Sequence, residues 1–290
     1  SRPQNSFNES VQTLELRRLH LSNPWKGAEV TQIPSKVNGL LVFCILLALI
    51  LFWGVREKAF QNRVPANPSL HGETMGTFYN IKLVHSSLDR KSLADLRRAI
   101  ENEMVAIEGR MSIFDPASEI AVFNKAAANE TVVLSEGFAM LMEESLRLSE
   151  LTDGAFDPTV GPLVDLWGFG RNGRIQKAPP PPEISATRTR TGWRKIAGSG
   201  DRGFSKDSEG LELDFAAVAK GYGVDRVAQV IRDAGFENFM VEIGGEVYAA
   251  GLNSTAIPWR IGIDAPRLEA VPGARLHGII GISNLAVATS

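Results

Sequence analysis

The chain has 290 residues, of which 44% are hydrophobic and 22% are charged, and its formal net charge is −2. This composition is typical of a globular protein, and the length suits one domain of ordinary size plus appendages. The near-neutral charge, without a basic stripe interleaved with aromatic residues, excludes a general nucleic-acid binder, and the single cysteine excludes a disulfide within the chain.

The N-terminal part contains an uncharged apolar run from Gly39 to Val55, preceded by a polar extension over 1–36 that has no sustained periodicity. The run is at the short end of what crosses a bilayer, where about 20 apolar residues are typical. We interpret 37–56 as an uncleaved transmembrane anchor and 57–69 as a short linker. Charge does not decide the orientation, because basic residues flank the run on both sides.

Other interpretations of this run fit less well. A cleaved signal peptide needs small residues near a cleavage site, whereas the large residues Phe52 and Trp53 lie at the end of the run. A lipoprotein signal needs a cysteine at the end of the run, but Cys44 lies in its middle. A buried core helix is the third alternative, and it is unusual for so uniform a run near a terminus.

A folded domain is predicted over 70–290. Thr77–Val84 alternates apolar and polar side chains, which is the pattern of a half-buried strand. Apolar residues recur every three or four positions over Asp89–Met111, which predicts an amphipathic helix. A second helix is predicted to begin with Ser135 as its N-cap.

The second half of this domain is predicted to be richer in strands. The proline run Pro179–Pro182 indicates an extended surface loop, and a helix is predicted over Ala216–Ala234, closed by a glycine. The predicted strands are Gly203–Lys206, Leu211–Phe215, Phe239–Ile243, Glu246–Leu252, Trp259–Asp264 and His277–Ser290. Strands and helices mixed without regular βαβ alternation indicate an α+β fold.

The junction between a predicted strand and a predicted helix, Leu211–Asp225, carries the strongest chemical signal. Asp214, Ala217 and Lys220 recur every three residues, so they face one volume at the start of the helix. Exposed N–H groups at a helix start favour anions, and an uncovered carbonyl can bind a hard cation. Such a junction can receive a phosphate together with its metal ion.

Each residue of this junction also has a plainer interpretation. Asp214 can serve only as a helix cap, and Lys220 can be an ordinary exposed lysine. Gly221 and Gly223 each cost a helix about 1 kcal/mol relative to alanine, so they indicate close packing or a bound ligand.

Four other segments allow two interpretations each. Met75 is either a turn residue or an apolar wall beside a flat ligand, and Phe114 is either a core residue or a face for an aromatic ring. The glycine- and proline-rich stretch Gly154–Leu163, with Leu166–Gly170, is a shaped loop near a ligand or a structural Ω-loop. Gly244-Gly245 is typical of a hairpin turn. A nucleotide-binding GxGxxG fingerprint, with a strand before the glycines and a helix after them, is absent, as are the P-loop, HExxH and CxxC motifs.

Taken together, and in this order along the chain, the motifs resemble those of the FAD:protein FMN transferase family, the ApbE-type flavin transferases. The matching segments are Glu73–Thr77, Met111–Phe114 with Ser118, Glu119 and Asn124, Gly154–Leu163 with Leu166–Gly170, Leu213–Tyr222 with Val224 and Asp225, Glu242–Glu246, and Ala288–Ser290. Each segment is weakly specific alone, but six in sequence make coincidence improbable.

The resemblance implies a single mixed α/β catalytic domain, ApbE- or T-fold-like, behind an N-terminal transmembrane helix. It implies a Mg²⁺-dependent enzyme that cleaves FAD, attaches FMN through a phosphoester to a threonine or serine of an acceptor flavoprotein, and releases AMP. The domain would face the periplasm or cell exterior from the inner membrane, and the acceptor would be a protein such as a subunit of a membrane-bound redox complex.

The resemblance also implies site residues. The backbone carbonyl of Ala217 would be one metal ligand. The expected FAD contacts are Met75, Phe114, Ala155, Phe156, Asp157, Asp214 and Lys220. This agrees with the chemistry, because phosphoryl transfer depends mainly on neutralising the phosphates and on placing the acceptor hydroxyl in line.

The sequence departs from the family pattern in two ways, and the family itself varies at one further site position. Phe114 stands where the family often has tyrosine, and family members vary at the position of Lys220. Members continue past the Ala-Thr-Ser strand into a histidine-containing segment, and then into one whose aspartate and threonine complete the metal site. We therefore expect the general base beyond Ser290, and weak or absent transfer unless that part is supplied. Hydrolysis of FAD to FMN and AMP, and an inactive flavin-binding membrane protein, are the alternatives.

Overall fold

The structure is a computed structural model that describes residues 39–61, 63–171, 173–266 and 275–289. The chain divides between Lys58 and Ala59 into two compact units. Helix α1 (Gly39–Gln61) contains the predicted apolar run. The side chains of residues 42–57 in this helix are exposed.

Within the part of the chain that the structure describes, no helix combines the length and the apolar character needed to cross a membrane. The transmembrane anchor predicted over 37–56 is therefore not supported. The apolar run ends before the helix does, because Arg56 and Glu57 already belong to α1. The predicted extension over 1–36 lies outside the described residues.

The second unit is a mixed α/β domain, in agreement with the predicted α+β class. Its helices are α2 (Arg90–Met111), α3 (Glu119–Lys125), α4 (Glu136–Leu151), α5 (Gly161–Leu166), α6 (Pro181–Arg188) and α7 (Ala216–Asp233), with a 3-10 turn at Trp193–Lys195. Its strands are β1 (Ser69–Thr74), β2 (Thr77–Leu83), β3 (Val132–Val133), β4 (Ile196–Gly198), β5 (Gly203–Lys206), β6 (Phe239–Ile243), β7 (Glu246–Ala250), β8 (Trp259–Asp264), β9 (Leu276–Ile282) and β10 (Leu285–Val287).

An antiparallel sheet in the order β1-β2-β6-β7-β10 is the centre of this unit. Helices α2 and α7 pack on one face, where Ile81 and Val241 are fully buried. The β8–β9 hairpin covers the other face, where Met240 packs with Trp259. The period of two that predicted β2 is confirmed, because Tyr79, Ile81 and Leu83 are its buried positions.

The predicted helix starts and the predicted hairpin are confirmed in detail. Asp89 caps α2 by accepting a hydrogen bond from Ser92 N, and Ser135 caps α4 by accepting one from Phe138 N. Gly244 and Gly245 join β6 to β7 with φ angles of 54° and 97°. Both angles lie in the left-handed region that a tight two-residue hairpin requires, and glycine adopts it without steric cost.

The predicted strand Leu211–Phe215 does not form, which corrects the sequence analysis. Within the segment only Glu212 makes a β-bridge, an isolated parallel one to Val160. Side chains supply much of the remaining pairing of this backbone, beside the backbone hydrogen bonds from Gly161 N to Glu212 O and from Asp214 N to Pro158 O. Asn124 Oδ1 accepts a hydrogen bond from Leu213 N at 2.7 Å, and Asn124 Nδ2 donates one to Leu213 O at 3.0 Å.

Lys206 also binds this segment, and the residue is only 2% exposed. Its ammonium donates hydrogen bonds to Leu211 O at 2.9 Å and to Asn124 O at 2.6 Å, and it lies 5.9 Å from the ring centroid of Phe123. Burial lowers the pKa of Lys206, and the neighbouring Glu212 offsets part of that effect. A buried cation is stable only with such partners.

Two further predictions need correction. The proline run Pro179–Pro182 is not wholly extended, because α6 begins inside it with prolines in its first turn. The missing N–H of proline costs nothing at that position. The predicted strand His277–Ser290 splits into β9 and β10, with a turn near Asn284, whose φ is 54°.

Replacing Asn124 by alanine should destabilise the domain by about 2–4 kcal/mol, because it leaves the N–H and C=O of Leu213 without their partners in a buried environment. Asn124→Asp keeps the acceptor for Leu213 N–H and loses the donor to Leu213 O, so its loss of stability should be intermediate. Urea unfolding measures both effects. Wild-type midpoints in both variants would show that the segment does not depend on Asn124.

Candidate functional site

A cavity of about 940 Å³ lies where four segments meet. These segments are the turn between β1 and β2, the end of α2 with the link that follows it, the glycine-rich stretch 155–169 and the start of α7. All eight residues predicted for the site line this cavity: Met75, Phe114, Ala155, Phe156, Asp157, Asp214, Ala217 and Lys220. Their roles toward a ligand stay a prediction, but the structure brings the eight together.

Asp214 and the first residues of α7 form the polar end of the cavity. Asp214 is 8% exposed, and its Oδ1 accepts a hydrogen bond from Ala216 N at 2.7 Å. Its own N–H donates to Pro158 O at 2.8 Å, which joins the two loops behind the site. Ala216 and Ala217 are exposed, so no side chain covers this helix start. Such an end is chemically suited to an anion.

Lys220 lines the cavity with its side chain, while its charge is already paired. Lys220 Nζ donates to Gly244 O at 3.1 Å and lies 2.8 Å from Glu246 Oε2. Among the described residues Glu246 Oε2 makes no hydrogen bond, so its contact with Lys220 is a close ion pair. The Lys220 side chain therefore links α7 to the β6–β7 turn.

Met75 lies in the turn between β1 and β2, at a φ of 49°. Glu108 on α2 fixes this turn, because its Oε1 accepts hydrogen bonds from Met75 N and, at 3.0 Å, from Thr74 Oγ1. The Met75 side chain lies against Gly223 of α7, where an added Cβ would come within 2.9 Å of Met75 Cε. Close packing therefore accounts for Gly223, whereas a Cβ at Gly221 would meet nothing within 4 Å.

Asp157 holds the glycine-rich stretch in shape. Its Oδ1 accepts hydrogen bonds from Thr159 N at 2.8 Å and from Thr159 Oγ1 at 2.6 Å. Its Oδ2 accepts from Trp193 N at 3.2 Å. The Asp157 carboxylate therefore binds groups of Thr159 and Trp193, while Ala155 and Phe156 lie beside it on the cavity wall.

The remaining wall is apolar and includes residues that the sequence analysis did not assign. Ile107, Met111, Val160 and Val164 contribute aliphatic surface, and Phe114 and Phe169 contribute exposed aromatic rings. Glu108 was missed because a polar residue beside an apolar stripe of α2 carries no signal of its own. Phe169 lies in the stretch that the sequence analysis described as a shaped loop, but the sequence did not show that the Phe169 side chain is exposed.

The charges on the cavity wall are mainly negative. Glu108, Asp157 and Asp214 are carboxylates, and the one ammonium among the described lining residues, Lys220, is shared with Glu246. In the described ranges, no three or more histidine, cysteine, aspartate or glutamate side chains are grouped to hold a metal ion. The site thus combines a polar helix start, an apolar wall and a deficit of positive charge.

Comparison with known proteins gives consistent matches. The ApbE family model matches residues 75–290. The chain is 38% identical over 248 residues to the FAD:protein FMN transferase of Vibrio cholerae, covering 84% of this chain and 70% of that protein. It is 35% identical over 227 residues to the FAD:protein FMN transferase of Haemophilus influenzae, covering 77% of this chain and 65% of that protein.

Among solved structures, the flavin transferase ApbE from Vibrio cholerae superimposes with a TM-score of 0.70 at 39% identity. The superposition covers 77% of this chain and 71% of that one. The family match, over residues 75–290, includes every residue that lines the cavity.

The two glycines of α7 give a paired test of the packing around Met75. Gly221→Ala should stabilise the domain by up to about 1 kcal/mol, because the new methyl meets open space and alanine favours a helix. Gly223→Ala should lose that gain, because its methyl displaces the end of Met75. Urea unfolding and the methyl NMR signal of Met75 measure the difference. Equal stabilisation with an unchanged Met75 signal would contradict the packing.

Proposed function

The chain belongs to the ApbE family, and from this membership we propose that it is a FAD:protein FMN transferase that moves FMN from FAD to a threonine or serine hydroxyl of an acceptor flavoprotein. The observation that carries the proposal is the cavity, which joins an uncovered helix start to an apolar, aromatic wall. FAD has the matching chemistry, with two flat rings joined through a pyrophosphate. The volume of the cavity is also at the upper end of the range for small-molecule sites, about 300–1,000 Å³.

We place the pyrophosphate at the start of α7, where the exposed Ala216 and Ala217 leave room for the phosphate oxygens. The acceptor hydroxyl oxygen attacks the FMN-side phosphorus, the bond from that phosphorus to the bridging oxygen breaks, and AMP leaves with that oxygen. The hydroxyl proton passes to a general base. None of the described residues lining the cavity is a histidine.

The donor atoms on this chain fit Mg²⁺ as a partner of the substrate phosphates. Mg²⁺ keeps several waters and uses few protein oxygens when phosphates complete its shell. The carbonyl of Ala217 and the carboxylate of Asp214 would supply such oxygens, and Gly221, one turn later, carries no side chain to cover that carbonyl. When bound, the ion would neutralise charge on the phosphates, which the wall with three carboxylates cannot do by itself.

We also propose that the domain works on the extracytoplasmic side of the inner membrane, held there by the apolar residues of α1. The support is the uncharged run Gly39–Val55 and the exposure of side chains such as Phe52 and Trp53. An acceptor such as a subunit of a membrane-bound redox complex would then lie within reach.

The full-length protein, incubated with FAD, Mg²⁺ and an acceptor flavoprotein, should produce flavin fluorescence on the acceptor band of a denaturing gel, and a chelator should abolish it. Asp214→Ala should remove this signal with the fold intact, at a stability loss of about 1 kcal/mol for the lost hydrogen bond from Ala216 N–H. Asp214→Asn keeps an acceptor for Ala216 N–H but not the charge, so it separates the effect of the hydrogen bond from the effect of the charge.

Three outcomes would contradict this account. Full transfer by Asp214→Ala would remove Asp214 from the site. Free FMN without labelled acceptor would indicate a pyrophosphatase. FAD binding with neither product, in the full-length protein, would indicate an inactive flavin-binding protein.

Membrane attachment has a separate test. After cell fractionation, the protein should stay with the membranes in high salt and in alkaline carbonate, and detergent should release it. A variant that begins at Ala59 is the control, and it should be recovered in the soluble fraction. Recovery of the complete chain in the soluble fraction would exclude the anchor.

A further inference from the structure

Phe169 is an aromatic residue of the cavity without an assigned role. It is 83% exposed, and Phe114 on the same cavity is 70% exposed. The two rings come from separate segments, because Phe114 follows α2 and Phe169 follows α5. A single exposed phenylalanine is common on a protein surface. What distinguishes Phe169 is the fixed backbone that carries it.

The backbone at Phe169 is fixed by a Schellman motif at the end of α5. Phe169 N donates to Val164 O at 3.0 Å, and Gly168 N donates to Asp165 O at 3.1 Å. Gly168 has a φ of 75°, the left-handed conformation that this motif requires. A side chain at Gly168 would come within 2.6 Å of Gly173 O.

An ion-pair cluster fixes Arg171, two residues after Phe169, as well. Arg171 donates to Asp165 Oδ2 at 2.7 Å from Nη2 and at 3.2 Å from Nε, and its N–H donates to Asp165 Oδ1 at 2.7 Å. Arg171 Nη2 also donates to Glu212 Oε2, next to the segment that carries Asp214. The loop is thus attached to the helix before it and to the segment leading into α7.

The side chain of Phe169 departs from the usual behaviour of this motif. The residue after the left-handed position commonly packs against the helix residue that accepts its N–H, here Val164. Phe169 instead stays mostly exposed, and both residues line the cavity. The loop therefore holds an apolar ring toward the cavity and leaves it without a covering partner.

We propose that residues 165–171 form a fixed platform that holds Phe169 against one of the two flat rings of the bound dinucleotide. The proposal rests on the function proposed above and extends it. Base–aromatic stacking contributes substantially to binding and does not depend on a hydrogen-bonding pattern. Phe169 is thus a binding residue, and Arg171 is a positioning residue that acts through it.

The test compares dissociation constants for FAD, measured by calorimetry on the full-length protein. Phe169→Ala should weaken FAD binding about tenfold, with unchanged thermal unfolding because the side chain is exposed. Phe169→Trp should keep the affinity. Phe78→Ala is the matched control, because Phe78 is 68% exposed and is not among the lining residues. It should bind FAD as the wild type does.

Separate titrations with FMN and AMP identify the ring. A loss for FMN alone supports the proposal and assigns the isoalloxazine, and a loss for AMP alone supports it and assigns the adenine. Unchanged affinity for FAD, FMN and AMP in Phe169→Ala overturns the proposal. A wild-type protein that binds no FAD refutes the proposed function itself, so the two failures are distinguishable.

A double-mutant cycle tests the platform. Arg171→Met should weaken FAD binding in the same direction as Phe169→Ala, and the double variant should be little weaker than Phe169→Ala alone. Rescue by Arg171→Lys should be incomplete, because lysine lacks the planar fork. If Arg171→Met unfolds, Asp165→Asn replaces it in the cycle. Additive losses overturn the positioning role of Arg171.

Discussion

The site depends on one constraint, which is that a chain segment must run to the start of α7 without a neighbouring strand beside it. Buried backbone groups need hydrogen-bond partners, and along this segment no continuous strand supplies them. Asn124 and Lys206 satisfy the segment from the side away from the cavity instead. The polar groups of Asp214 and of the helix start are therefore free to face a ligand while the segment behind them stays fixed.

The same arrangement explains why a fully buried lysine is retained. A buried ammonium is unfavourable, and burial lowers the pKa of Lys206. Its two carbonyl partners come from α3 and from the segment before Asp214, so the side chain joins elements that the sheets do not join. An apolar residue of the same length would fill the space but would remove the donor that both carbonyls share, at a cost of about 1–3 kcal/mol for each buried group left unsatisfied.

Local patterns in the sequence predicted most of the fold. The spacing of apolar residues located α2, and the alternation in β2 assigned its faces, because one face of each element is buried. The strand predicted over Leu211–Phe215 was wrong because the apolar residues of this segment are buried as in a strand, while Leu213 is paired by the side chain of Asn124, 89 residues away in the chain. No local pattern carries that information. The exposure of Phe169 likewise depends on how a loop is fastened, and composition does not reveal it.

The Gly-Gly turn shows that structural and functional interpretations of a motif need not exclude each other. Gly244 and Gly245 form the hairpin turn that the plainer interpretation predicted. Gly244 O also accepts from Lys220 Nζ, and Glu246, the residue after the turn, pairs with the same ammonium. A side chain at Gly244 would meet Lys220 Cδ at 3.1 Å and Thr77 Cγ2 at 2.7 Å. The tightness of this turn therefore sets where a cavity-lining lysine lies. A phosphate entering the cavity would have to share that ammonium with Glu246, so the lysine can orient an anion but supplies less than a full charge to it.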